Sequence, residues 1–100
     1  MSSDALRGDP ESAVRLGDVQ PGFRGIIVAV RRPLGAAPGP TDPEELELRL
    51  LEFGFVEGAR VEVLHEGPIG GDPIAVRVDD MRVALRRNEA MNVILTKASA

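Results

Sequence analysis

One stretch, DPEELELRLLEFGFVEG at residues 42 to 58, constrains the chain more than any other, because it carries a helix start signal, a helix stop signal and apolar residues on two sides. Asp42 suits the N-cap, since Pro43 then falls at the first helical position and Glu45 at the third, where a carboxylate can complete a capping box. Gly54 is the natural left-handed residue just past the helix, a conformation that costs a residue bearing a Cβ about 1–2 kcal/mol. Phe55 should then fold back towards Leu50. Leu46, Leu50 and Phe53 recur at i, i+4 and i+7 and form one face, and burying each should stabilise by about 1.5–3 kcal/mol. At 100° per residue, Leu48 and Leu51 fall nearly opposite, beside Glu44 and Glu47. Two apolar faces need two neighbours. Either the N-terminal segment or the loop around Leu34 covers Leu48 and Leu51, or they form a surface for a partner.

The rest of the chain reads as short strands and turns. Residues 1 to 15 mix Ser, Asp, Gly, Pro and Ala without a sustained period, which predicts a flexible tail, with Leu6 and Val14 within reach of the helix. Residues 16 to 97 form the folded domain. Pro21 and Gly22 fit the central positions of a type II turn. GIIVAVRR, RVEVLHEG, PIAVRVDD and RVALRR alternate in the manner of strands, and VILT reads as a short closing strand after a single helical turn at NEAMN. Ile74, Val76 and Val78 face inward, as do Val83 and Leu85, and His65 shares the parity of Val61 and Val63. PLGAAPGPT at 33 to 41 is a surface loop, GPIGGDP is a turn, and Asp80-Met81 should turn the last hairpin. The expectation is a mainly β fold: a small five-stranded barrel with one short α-helix between the first and second strands.

Composition excludes several chemistries. With no cysteine there is no disulfide, thiolate metal site or thiol nucleophile, which is compatible with a reducing cytoplasm. The longest apolar run, IIVAV at 26 to 30, is far short of the ~20 residues that span a bilayer, and the N-terminus lacks a signal-peptide core. A soluble cytoplasmic protein without direct membrane insertion is expected. A two-His-one-carboxylate iron site needs two histidines and the chain has only His65. His65 with Glu66 could join a divalent site only between two molecules, and a structural strand histidine is the simpler account. Asp79 and Asp80 are adjacent and point apart on a strand, as a solvated turn would have them. GPIGGDP lacks the Lys-Ser/Thr of a phosphate loop, so it reads as a plain turn. No catalytic group and no cofactor is expected.

Charge is unevenly distributed. Residues 42 to 66 hold eight acids and two arginines, whereas 73 to 97 hold three acids and five bases. A lopsided field can steer a charged partner, although solvated faces of ordinary strands and a helix are the simpler account. Arg77, Arg82, Arg86 and Arg87 could in principle meet a nucleic acid, making a small-barrel nucleic-acid or transcription-regulator module the alternative function. Against it stand the net charge of −4 and phenylalanines placed at positions that look buried, leaving no platform for base stacking.

Three stretches together resemble the FeoA family of bacterial ferrous iron uptake. They are Leu16 to Gly22 with its Pro-Gly turn; Arg49-Leu50-Leu51-Glu52-Phe53-Gly54-Phe55 followed by Gly58; and Gly67 to Ile74 leading to Val83-Ala84-Leu85-Arg86 and Glu89-Ala90. The resemblance covers roughly residues 16 to 96 and departs from the family's pattern in the long 33 to 41 loop and in Phe53, where a leucine is usual. It implies an SH3-like barrel and a non-catalytic, regulatory role exerted by contact with the cytosolic part of the membrane ferrous iron transporter. The same fold closes iron-responsive repressors, but here no helix-turn-helix precedes it. The candidate partner surface is Leu48 and Leu51, joined by Leu34, Leu64 and Arg86 by analogy with SH3-like barrels that bind between a loop and a sheet face. Self-association is compatible with the sequence.

Overall fold

In the computed structural model, residues 13 to 32 and 42 to 98 are described. The elements are β1 (Val14–Arg15), a 3-10 turn (Leu16–Asp18), β2 (Arg24–Val30), α1 (Pro43–Glu52), β3 (Arg60–Ile69), β4 (Asp72–Val78), β5 (Met81–Leu85), α2 (Arg87–Ala90) and β6 (Val93–Lys97). All strands join one antiparallel sheet in the order β1-β6-β2-β3-β4-β5. The core is formed by Leu16, Ile27, Leu50, Phe55, Val61, Val63, Ile74, Val76, Val78, Leu85, Val93 and Leu95, each at most 2 % exposed.

The helix follows its signals. The Asp42 side chain accepts a hydrogen bond from the Glu45 N–H at 3.3 Å. At the other end Gly54 takes φ +99°, its N–H donates to Leu51 O at 3.0 Å, and the Phe55 N–H donates to Leu50 O at 2.9 Å. This pair of bonds is a Schellman closure, and it brings Phe55 back into the core beside Leu50. Leu46 and Phe53 pack against the same cluster from half-buried positions. The Pro21-Gly22 turn also forms, with the Phe23 N–H donating to Gln20 O at 3.1 Å and Gly22 at φ +96°.

Four expectations need correction. The sheet has six strands among the described residues, because Val14 and Arg15, read as part of the tail, pair with Leu95 and Ile94. The helix therefore lies between the second and third strands. GPIGGDP is not wholly a turn: β3 continues to Ile69, and Gly70 and Gly71 alone make the turn, with φ of +67° and +76°. The β4–β5 turn lies one residue earlier than expected, at Asp79-Asp80, since Val78 pairs with Met81. Asp79 rather than Asp80 takes the left-handed conformation, φ +51°, and it is fixed by two bonds to Arg60: Asp79 N–H to Arg60 O at 2.8 Å and Arg60 N–H to Asp79 Oδ1 at 3.2 Å. Finally, the β3–β4 register shifts between Val63 and His65, so Leu64 is the extra residue of a bulge and His65 loses the parity of the valines and is exposed. A second shift, at Val28, lets Ile27 and Val30 serve the same core despite their odd spacing. Leu6, Leu34 and the loop 33 to 41 lie outside the described residues.

The outermost strands β1 and β5 do not pair with each other, and Arg15 on β1 donates from Nη1 to Met91 O, just past α2, at 2.7 Å. Arg87, at the start of α2, donates from Nε to Gly71 O at 2.9 Å, from Nη1 to Gly17 O and Val19 O at 3.0 Å each, and from Nη2 to Glu66 Oε1 at 2.7 Å. Its backbone N–H donates to Asp72 Oδ1 at 2.8 Å. The β3–β4 hairpin, α2 and the 3-10 turn after β1 are thus joined at one point. Gly17 permits the approach, because a Cβ there would overlap the Arg87 carbonyl oxygen and the Met91 thioether.

Two substitutions test this packing. Gly17→Ala must displace α2 and should lower stability by about 1–3 kcal/mol; Gly54→Ala has room for its methyl group but must hold a positive φ, and should cost about 1–2 kcal/mol. Urea unfolding midpoints measure both. An unchanged midpoint for Gly17→Ala would mean that the 3-10 turn is not pressed against α2.

Candidate interaction surface

The outward face of α1 is the most prominent apolar feature on a regular element. Leu50 is fully buried and anchors the helix, while Leu48 is 61 % exposed and Leu51 48 %. Glu44, Glu47 and Glu52 surround them and are also exposed, so the face is apolar at its centre and acidic at its margin. The helix is tied to α2 through Glu89: its Oε2 lies 3.6 Å from Arg49 Nη1, and its Oε1 accepts the Arg86 N–H at 3.0 Å. Arg86 is the N-cap of α2, with its side chain in solvent. Leu64 is not part of this arrangement; it is half-buried in the β3 bulge, next to Val63, whose carbonyl accepts the Gly22 N–H at 2.8 Å. Of the sequence candidates, Leu48 and Leu51 share the outer face of α1, Arg86 is exposed at the start of α2, and Leu64 lies in the β3 bulge.

The sequence reading did not single out Val56, Ile69 and Met81 as exposed apolar groups, yet they are 43 %, 83 % and 50 % exposed. Ile69 stands at the tip of the β3–β4 hairpin. Its sequence signal is an apolar residue caught between Pro68 and a Gly-Gly turn, where no core can reach it.

An open groove runs between the Pro21-Gly22 turn, the start of β3, the β4–β5 turn and the end of β6; Phe23, Arg24, Arg60, Arg77, Asp79 and Lys97 help to line it. Glu62 pairs with both Arg77 and Arg24, the latter at 3.6 Å, and Asp79 accepts the Arg60 backbone N–H. The groove contains no nucleophile with an adjacent base. Of the four arginines considered for nucleic acid, Arg77 is paired with Glu62 and Arg87 is spent inside the fold, which leaves Arg82 and Arg86 as exposed residues rather than a continuous phosphate track. Phe55 is buried, and Phe23 and Phe53 pack against the core.

The structure also separates His65 from Glu66. His65 is exposed, whereas the Glu66 carboxylate is bonded to Arg87. Among the described residues, no group of three or more His, Cys, Asp or Glu side chains is placed to hold a metal ion.

With the geometry established, comparison with known proteins is informative. A family model for the FeoA domain matches residues 14–97, the span from β1 to the end of β6. The crystal structure of an iron uptake regulatory protein (FeoA) is similar with a TM-score of 0.65 at 27 % identity, covering 86 % of this chain and 99 % of that one. Stenotrophomonas maltophilia FeoA, crystallised with zinc and described as an SH3-domain protein proposed to activate ferrous iron transport, gives 0.65 at 29 % identity, with 82 % and 88 % covered. The solution structure of Chlorobium tepidum FeoA gives 0.67 at 30 % identity, with 86 % and 71 % covered. A manganese-dependent transcriptional repressor shares the fold alone, at 21 % identity, and the match spans 44 % of its length. No curated protein sequence gives a significant match. An SH3-like sheet with its helix closed at Gly54, and a family match from the first strand to the last, together show that this chain belongs to the FeoA family, linked to ferrous iron transport.

Proposed function

We propose that this protein is a non-catalytic, cytoplasmic accessory factor of ferrous iron transport, acting by contact with the cytosolic part of the membrane ferrous iron transporter through the outer face of α1. The observation that carries this reading is the exposure of Leu48 and Leu51 on a helix whose opposite face is locked into the core by Leu50. Two leucines held on a rigid helix lose little further conformational freedom on binding, so their burial by a partner contributes almost in full. The acidic margin of Glu44, Glu47 and Glu52 favours a partner surface that is basic around an apolar centre, and it adds orientation and rate more than affinity. The family membership supports the transport context. Among the described residues, no helix is long and apolar enough to cross a membrane, which accords with recruitment to the transporter by contact.

Leu48→Asp combined with Leu51→Asp tests the reading. Both side chains are exposed, so the double variant should retain its fold, checked by its amide NMR spectrum. Its affinity for the isolated cytosolic domain of the cognate transporter should fall at least about tenfold, as expected when central apolar contacts are removed. Undiminished binding by a folded double variant would discard this face.

A further inference from the structure

The sheet ends at β5, and the outer edge of that strand is open. The hydrogen-bond parity of the hairpin follows from Asp79, whose N–H donates to Arg60 O on β3. Alternation along β4 then turns the backbone groups of Val78, Val76 and Ile74 towards β5, where they meet Met81, Val83 and Leu85. The N–H and C=O groups of Arg82 and Ala84 consequently point away from the sheet. Both residues are exposed, and among the described residues no hydrogen bond reaches that edge. β5 is short and carries Arg82, but it contains neither the proline nor the bulge that would prevent its edge from pairing.

We propose that β5 is a self-association edge, on which the β5 strand of a second copy of this chain adds in antiparallel fashion about a two-fold axis at Val83. In that register Arg82 and Ala84 each exchange two main-chain hydrogen bonds with the partner's Ala84 and the partner's Arg82. The flanks agree as well. Exposed Asp80, just before the strand, faces the partner's Arg86, and exposed Arg86 faces the partner's Asp80, so one contact yields two opposite-charge pairs. Other registers fail. A shift by one residue sets outward-facing backbone groups against residues whose groups are turned inward. A shift by two sets Arg82 directly opposite the partner's Arg82 or the partner's Arg86. The segment Asp80 to Arg86 is therefore complementary to itself in one alignment, and that selects a second copy as the occupant.

A contact this short makes a weak, transient dimer. Sedimentation velocity over a concentration series from about 5 µM to 1 mM should show the mass rising from that of the 10.7 kDa monomer towards twice that value. Arg86→Asp retains a good N-cap for α2 but sets two carboxylates face to face across the dimer, and should weaken association at least about tenfold. Adding Asp80→Arg to it should restore the dimer. In amide exchange on the unmodified protein, Arg82 and Ala84 should gain protection as concentration rises, while Val83, bonded to β4, stays protected throughout. A protein that remains monomeric across the series overturns the proposal and leaves the edge to a strand from a different protein. A dimer that forms without protecting Arg82 and Ala84 overturns it by placing the contact elsewhere.

Discussion

The guanidinium of Arg87 gathers the 3-10 turn, α2 and the β3–β4 hairpin at one point. A sheet of this order leaves its first and last strands unpaired with each other, and a chain of 100 residues with a short α2 has little apolar surface with which to close the gap. The planar fork of Arg87 meets three backbone carbonyls and one carboxylate at 2.7–3.0 Å, from the 3-10 turn on one side and the β3–β4 hairpin on the other. A lysine presents a point charge and could not satisfy this spread of acceptors. The side chain is 19 % exposed, and its bonds to the carbonyls of Gly71, Gly17 and Val19 are partly buried, whereas the Glu66 pair is open to solvent.

A chain of polar contacts runs from this clasp towards α1. α2 is fixed by Arg87, Glu89 lies on α2, and through Glu89 both Arg49 of α1 and the backbone of Arg86 are held. The helix that presents Leu48 and Leu51 is therefore seated on the core by Leu50 and steadied laterally by an element that Arg87 positions. The protein offers side-chain chemistry on α1 and main-chain chemistry along β5. The groove beside the Pro21-Gly22 turn carries the ion pairs of Glu62 with Arg77 and Arg24.

Local signals made the helix legible in the sequence. Asp42, Pro43 and Gly54 act through the backbone within a few residues, and the angular spacing of Leu48 and Leu51 from Leu50 is fixed by helical geometry. Strands β4 and β5 were equally clear from their alternation. The pairing of Val14 and Arg15 with β6 was hidden because two residues have no period, and the bulges at Val28 and Leu64 because an extra residue is defined only by the opposing strand. The parity of His65 was misread for that reason. Arg87 was read with Arg86 as a surface cation; adjacent arginines look alike in sequence, but one lies at the N-cap of α2 in solvent and the next points inward past Gly17. Gly17 was the available clue, a glycine beside no turn signal of its own. Ile69 was missed because the extent of β3 past Gly67 depends on hairpin pairing with Asp72.

Native-state amide hydrogen exchange on Arg87→Lys, set against the unmodified protein, tests the clasp most directly. The account predicts that amides near the 3-10 turn, in β1 and at the tip of the β3–β4 hairpin lose protection together, while those of the β2–β3 ladder keep theirs relative to global stability. Uniform loss across the sheet, or no loss at all, would contradict it, since Arg87 would then be one stabilising residue among many rather than the bond that joins the two ends of the fold.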